Sequence, residues 1–246
     1  MSARAHNGSF AYHAQAIGLS AMLSRPSREN IPGLASVSLS QTGGESYCVV
    51  RDYNYKGLIT FDEASSYVTG NRLGREYNTL ATVTIRNLNV LNMVQAETVV
   101  ARVTSLHKRG DDEGEITFAG SMIRNLTIAG HTMDVALDHR TFSEYPTYGA
   151  FREKLDKDKL RSVNARVATR GNVVTASLVS GDLKSPVGTS EGYTIHLPEF
   201  GTIFVAQVLM KPGARRVSML RFELGSPIAG SVEVCGGESN GAEYWP

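Results

Sequence analysis

Residues 80–107 read LATVTIRNLNVLNMVQAETVVARVTSLH, and the reading of this stretch decides the fold. Val83 and Ile85 alternate with Thr82 and Thr84, so one face of an extended strand collects the apolar side chains. Leu88 and Val90 are also two apart, but they fall on the opposite phase. The alternation therefore slips at Arg86-Asn87. Asn enters the left-handed backbone region more readily than most residues, so a bulge or tight bend is expected there. Residues 94–104 then carry apolar residues on both faces, as a strand covered on both sides or a buried helical segment would. Their Val and Thr content decides for a strand.

The hexapeptide IRNLNV at 85–90 returns at 123–128 as IRNLTI. The same slip falls at Arg124-Asn125, between Ile123 and Leu126. Each copy reads as a strand, a bend at Arg-Asn and a second strand, and the two copies are expected to pack side by side. Their spacing is long for one coil of a β-helix, and only two copies are visible.

Strand signals continue outward on both sides. Short Val-, Ile- and Thr-rich runs fill 35–40, 47–50, 57–61 and 67–69, followed by a polar break at 70–74. Residues 201–210 and 215–224 flank Lys211-Pro212-Gly213-Ala214, and Pro-Gly is turn chemistry, so this is a hairpin. A last strand is expected at 231–235. One helix is expected near 148–162, with Phe151 and Leu155 four apart and Thr147 placed to cap it. The tail 236–246, GGESNGAEYWP, is loose in composition and ends in Tyr244-Trp245, either a frayed end or an aromatic pair that docks. The expected architecture is one mainly β domain over 1–246. A single β-sandwich and a solenoid-like β-stack both fit, with one helix inserted.

Bulk properties narrow the function classes. The 246 residues hold 25 Lys and Arg against 24 Asp and Glu, a formal charge of +1. No field of one sign is available to hold a nucleic-acid backbone, so that partner is not expected. Little net charge also means little repulsion against self-association. The apolar run 14–23 follows a polar stretch without a clear cleavage site, so no signal peptide is read; a mature form with its leader removed would look the same. No window reaches the roughly 18 apolar residues of a membrane span. Cys48 and Cys235 either bridge the two ends of the chain or stand as buried thiols, and thiols are the preferred reading. Neither lies in a CxxC, and no metal or other cofactor is expected.

No GxSxG, GxGxxG or GxxxxGK[ST] occurs. The densest polar cluster is HTMDVALDHR at 131–140. As a strand it would place His131 and His139 on one face about 26 Å apart, too far to share a metal. Asp134 and Asp138 would share the other face about 13 Å apart, wider than a glycosidase carboxylate pair. His196, beside Pro198 and Glu199, is the other candidate. An enzyme here would be a hydrolase or lyase whose fold gathers His131, Asp134, Asp138 and His196. The acidic loop KRGDDEGE at 108–115 reads as a solvated turn in preference to a cation site. Tyr47, Tyr53, Tyr55 and Tyr67 cluster around Phe61. Such a row either stacks on a glycan or docks a partner, or it is cross-strand packing.

Three stretches carry a family likeness: FAYHAQAIGLSAML at 10–23, ATVTIRNLNVLNMVQAETVVARVTS at 81–105 with NLTIAGHTM at 125–133, and GTIFVAQVLMKPGARRVSMLRFEL at 201–224. Together they resemble the bacterial choice-of-anchor P proteins, a β-rich extracytoplasmic group. The resemblance implies a location outside the cytoplasm or at the cell surface, and it brings no catalytic residues. No leader or terminal anchor is read in the chain, in departure from that group, and this keeps a cytoplasmic location open. The expected function is therefore a non-enzymatic structural or interaction protein that self-associates as a homo-oligomer. The contact residues would be Tyr47, Tyr53, Tyr55, Tyr67, Tyr244 and Trp245. The alternatives are a carbohydrate-binding module on the same tyrosines and the hydrolase or lyase above.

Overall fold

The computed structural model describes residues 9–156 and 168–244. Two strands, β1 (Ser9–Arg25) and β2 (Glu29–Ser38), open the chain. A meander follows: β3 (Gly44–Tyr55), β4 (Ile59–Leu73), β5 (Glu76–Val90) and β6 (Val94–Lys108). Short strands come next, β7 (Glu115–Thr117), β8 (Met122–Arg124), β9 (Thr127–Ile128) and β10 (His131–Thr132). Two helices, α1 (His139–Glu144) and α2 (Tyr148–Asp156), lead out of this half. The chain then forms β11 (Ala168–Arg170), β12 (Val173–Ser177), β13 (Thr189–Glu191), β14 (Thr194–Leu197), β15 (Gly201–Lys211), β16 (Ala214–Leu224) and β17 (Ala229–Tyr244).

These strands make a sandwich of two antiparallel sheets. The first has the order β11-β12-β15-β16-β17-β1-β2, with β14 beside β15 and β13 beside β14. The second has the order β10-β9-β6-β5-β4-β3, with β7 and β8 also pairing β6. The core lies between them: Leu19, Val205, Val217, Leu220 and Val234 from the first sheet, and Val68, Val83, Ile85, Val99 and Val103 from the second, are all sealed from water. A sandwich forms and not a solenoid-like stack, because each sheet has one apolar face and covers it with the other. Among the described residues no helix is long and apolar enough to cross a membrane.

The repeated hexapeptide now has a physical account. Asn87 and Asn125 have φ of 51° and 49°. Burial along β5 follows odd positions through Ile85 and even positions from Leu88. The slip does not stay within one strand. By register, Asp52, Asp62, Asn87, Glu97 and Asn125 form one row across the second sheet. All five are exposed, and Asp52 is also left-handed, with φ 51°. Left-handed residues thus alternate with extended ones from strand to strand. Every strand changes faces at the same level, so the pairing survives and the sheet creases. The two copies flank β6, one in β5 and the other spread over β8 and β9. Arg51-Asp52, in the sequence Val50-Arg51-Asp52-Tyr53, is a third instance of apolar–Arg–Asx–apolar that sequence reading missed.

A matching crease crosses the first sheet. Ala35, Gly18, Cys235, Met219 and Ala206 lie in one row, with φ of 46°, 51° and 49° at Ala35, Cys235 and Ala206. Here the row is buried. The two creases nest: a Cβ on Gly18 would stand 3.2 Å from Ala64 Cβ, and Cys235 Sγ donates to Val99 O at 3.4 Å. Gly18 is therefore glycine because a side chain there would press both on its paired strand β2, with Leu34 O at 2.9 Å and Ala35 Cβ at 3.1 Å, and on Ala64 of the facing sheet.

Several expectations are corrected. Residues 236–244 are not a loose tail; they complete β17, which is hydrogen-bonded between β16 and β1. Residues 70–73 continue β4 instead of breaking it. The expected helix near 148–162 is α2, described as far as Asp156, and 157–162 lie outside the described residues. The stretch 131–140 is not one strand. It leaves β10, bridges Val179 through Leu137 and enters α1, which sequence reading also missed. Its task is to carry the chain from the second sheet to the first.

Candidate interaction surface

Among the described residues β3 is the outermost strand of the second sheet and pairs with β4 alone. Its residues alternate between two environments. Cys48 and Val50 pack against the rim of the core, while Glu45, Tyr47, Val49 and Arg51 point away from it. Tyr47 is 78% exposed and Val49 39%. Directly across on β4, Tyr67 shares the outer face with Tyr47, and its hydroxyl donates to Glu45 Oε2 at 2.9 Å. Next along the outer face, Val49 stands opposite Ser65 and Arg51 opposite Glu63, with Arg51 Nε donating to Glu63 Oε2 at 3.0 Å.

The left-handed turn at Asp52 flips the strand, so the four tyrosines do not form one row. Tyr53 and Tyr55 lie on the inner side. Tyr53 stacks on its cross-strand neighbour Phe61 with centroids 5.0 Å apart, and burial raises its phenol pKa above the ordinary value. The Tyr55 hydroxyl is buried without a hydrogen-bond partner among the described residues. Only Tyr47 and Tyr67 present themselves to solvent as a pair. Tyr244 ends β17, its backbone opposite Ser9, and Trp245 lies outside the described residues.

At one end the β3 edge is clasped to the other sheet. Lys56 Nζ, in the β3–β4 turn, donates to Glu29 Oε1 of β2 at 2.7 Å, and this bond holds the Glu29 carboxyl below its ordinary range. The two cysteines remain separate free thiols. Cys48 is half-buried on the inner side of β3. Cys235 is fully buried in the crease of the first sheet, where burial pushes its thiol pKa up.

The polar candidates for catalysis are distributed differently. His131 is exposed on β10, and Asp134 is exposed on the connector beyond it. Asp138 caps α1, accepting from Thr141 N at 3.0 Å and Thr141 Oγ1 at 2.6 Å. His196 sits on β14 of the other sheet, its Nδ1 3.3 Å from Thr202 Oγ1. Among the described residues no hydrogen bond or ion pair joins any two of these four, and no group of three His, Cys, Asp or Glu side chains is placed to hold a metal. The acidic loop has a structural task. Glu113 accepts from the backbone N–H of Tyr148 at 2.7 Å and of Gly149 at 3.1 Å, both at the start of α2. It also accepts from Gly213 N in the β15–β16 turn.

Residues 10–166, more than half of the chain, match the sequence model of a domain of unknown function, DUF8256. The chain belongs to this family. The matched span takes in the whole second sheet, with the β3 edge, and the first two strands of the other sheet. No curated protein and no solved structure matches the chain.

Proposed function

We propose that this protein is a non-enzymatic structural or interaction protein that self-associates through the β3 edge. The carrying observation is that no described strand pairs with the outer side of this edge. A sheet edge offers unpaired N–H and C=O groups to any passing strand, and folded proteins usually blunt it with Pro, Lys, a bulge or a short length. The neighbouring edge of the first sheet is blunted in this way: β2 contains Pro32. β3 runs for 12 residues, from Gly44 to Tyr55, with neither Pro nor Lys. Exposed Tyr47 and Val49 stand beside it, and its inward residues Cys48, Val50 and Tyr53 are only half-buried. One more strand would satisfy the free backbone groups and cover these side chains together. The formal charge of +1 opposes such contact weakly.

The test is light scattering across concentration and salt, with negative-stain images of the same samples, on the wild type and Val49→Lys. The wild type is expected to give ordered oligomers, and Val49→Lys a folded monomer. A wild type that stays monomeric at high concentration overturns the reading. The adjacent pair Tyr47 and Tyr67 supports a second reading, a carbohydrate-binding face. Glycan-array binding lost in Tyr47→Ala, from a monomeric wild type, would favour it. Either role suits the extracytoplasmic setting that the likeness to choice-of-anchor P proteins implies, and that setting is part of the proposal.

A further inference from the structure

We infer that two copies of this chain pair β3 to β3, antiparallel, about a two-fold axis passing beside Cys48. This rests on the open-edge reading above and specifies its register. The regular part of β3 runs from Gly44 to Arg51, because Asp52 turns left-handed and flips the strand. Four outward residues lie on that part: Glu45, Tyr47, Val49 and Arg51. Antiparallel pairing about a two-fold axis sets each residue against its mirror position along the strand. With the axis at Cys48, Glu45 faces Arg51 of the other copy, and Tyr47 faces its Val49. On the inner side Ser46 faces Val50, and Cys48 faces itself. Both charges meet opposite charges, twice over by symmetry, and the exposed aromatic lies on a β-branched neighbour, a favourable cross-strand pair.

Neighbouring registers lack this match. An axis at Tyr47 sets the ring against itself and Arg51 against Gly43, which lies before the strand. An axis at Val49 sets Arg51 against Tyr47 and Glu45 against Tyr53, whose side chain points inward. Room for the charge exchange exists, since the Arg51 side chain is 67% exposed beyond its contact with Glu63.

Glu45→Lys and Arg51→Glu test the register, each alone and then mixed. Each single variant places like charges together at both symmetric contacts, and its dissociation constant is expected to rise about tenfold or more. In an equimolar mixture Lys meets Glu at one contact and Arg meets Glu at the other, so association is expected to return to within about threefold of wild type. Only a contact between copies is restored by mixing. A second readout needs no substitution. Facing residues in an antiparallel pair have Cα atoms about 4.5–5.5 Å apart, within reach of a disulfide. Diamide, taking two electrons and two protons from a pair of thiols, should therefore join two chains through Cys48, whereas Cys48→Ser should not cross-link. Oligomers whose single variants are not rescued by mixing, or which do not cross-link at Cys48, overturn the register and leave self-association standing. A monomeric wild type overturns both.

Discussion

Asn87 Nδ2 donates to Asp62 Oδ2 at 2.6 Å, and the two residues stand opposite each other at the level where β4 and β5 both change faces. The bond fastens a left-handed residue to its extended neighbour. The same arrangement recurs two strands further on, where Asn125 Nδ2 donates to Glu97 Oε2. Asn suits the position twice, through its tolerance of positive φ and its amide donor. Asn87→Gly keeps the backbone and loses the bond, so it should cost about 1 kcal/mol. Asn87→Val forces a β-branched residue into the left-handed region as well, and about 2–3 kcal/mol is expected. Urea denaturation orders the three proteins. Equal stability of the Gly and Val variants would contradict this account of the crease.

Gly18 is confined both by its paired strand β2 and by the facing sheet. A Cβ there would lie 2.9 Å from Leu34 O and 3.2 Å from Ala64 Cβ. Leu34 O belongs to the backbone and yields little. Gly18→Ala should destabilise by about 1–3 kcal/mol, and Gly18→Val by more. Thermal unfolding of both variants checks the order. An unchanged midpoint for Gly18→Val would show that neither β2 nor the facing sheet confines this position.

Arg215 is buried to 1% exposure, donating to Ile116 O at 2.9 Å and Tyr145 O at 2.8 Å. Burial pulls its pKa down to about 10, and the Glu113 carboxylate acts in the opposite direction. Arg215 thereby ties β16 to β7 and to the C-terminal end of α1. Arg215→Met leaves both carbonyls without a donor and Glu113 without its cation, and a loss of about 3 kcal/mol is expected. Arg215→Lys retains the charge but not the planar fork, so an intermediate loss should appear in the same denaturation series.

Much of this fold was legible in the sequence where a local signal agreed with the tertiary result. The phase slips at Asn87 and Asn125 and the Pro212-Gly213 hairpin are of that kind. β1 and the second half of β17 were not legible. Their Ala, Gly and Ser residues have weak strand preference, and they are strands because neighbours on both sides pair with them. Glycine there serves packing: a Cβ on Gly237 would stand 3.2 Å from Val103 Cγ2 of the facing sheet. The stretch 131–140 failed for the converse reason, since its alternation was genuine but, among the described residues, it meets only the single bridge from Leu137 to Val179 beyond Thr132. On the candidate surface the cluster of tyrosines was visible. Its division into an outer pair and an inner pair depended on the Asp52 flip, which an Arg-Asp dipeptide announces less plainly than the repeated Arg-Asn.

Thr79 of β5 and Ser239 of β17 join hydroxyls across the sandwich, both sealed from water. This pair belongs to the segment whose composition suggested a loose end, so its energetics report directly on whether the end is docked. Removing one hydroxyl strands the other in a dry environment. Thr79→Val or Ser239→Ala alone should each cost about 1–3 kcal/mol. Removing both leaves no unsatisfied group, so the double variant should cost clearly less than the sum of the singles. A double-mutant cycle by urea denaturation measures the difference. A coupling near zero would mean that β17 is not held against β5 in solution, and the central placement of that strand would then fail with it.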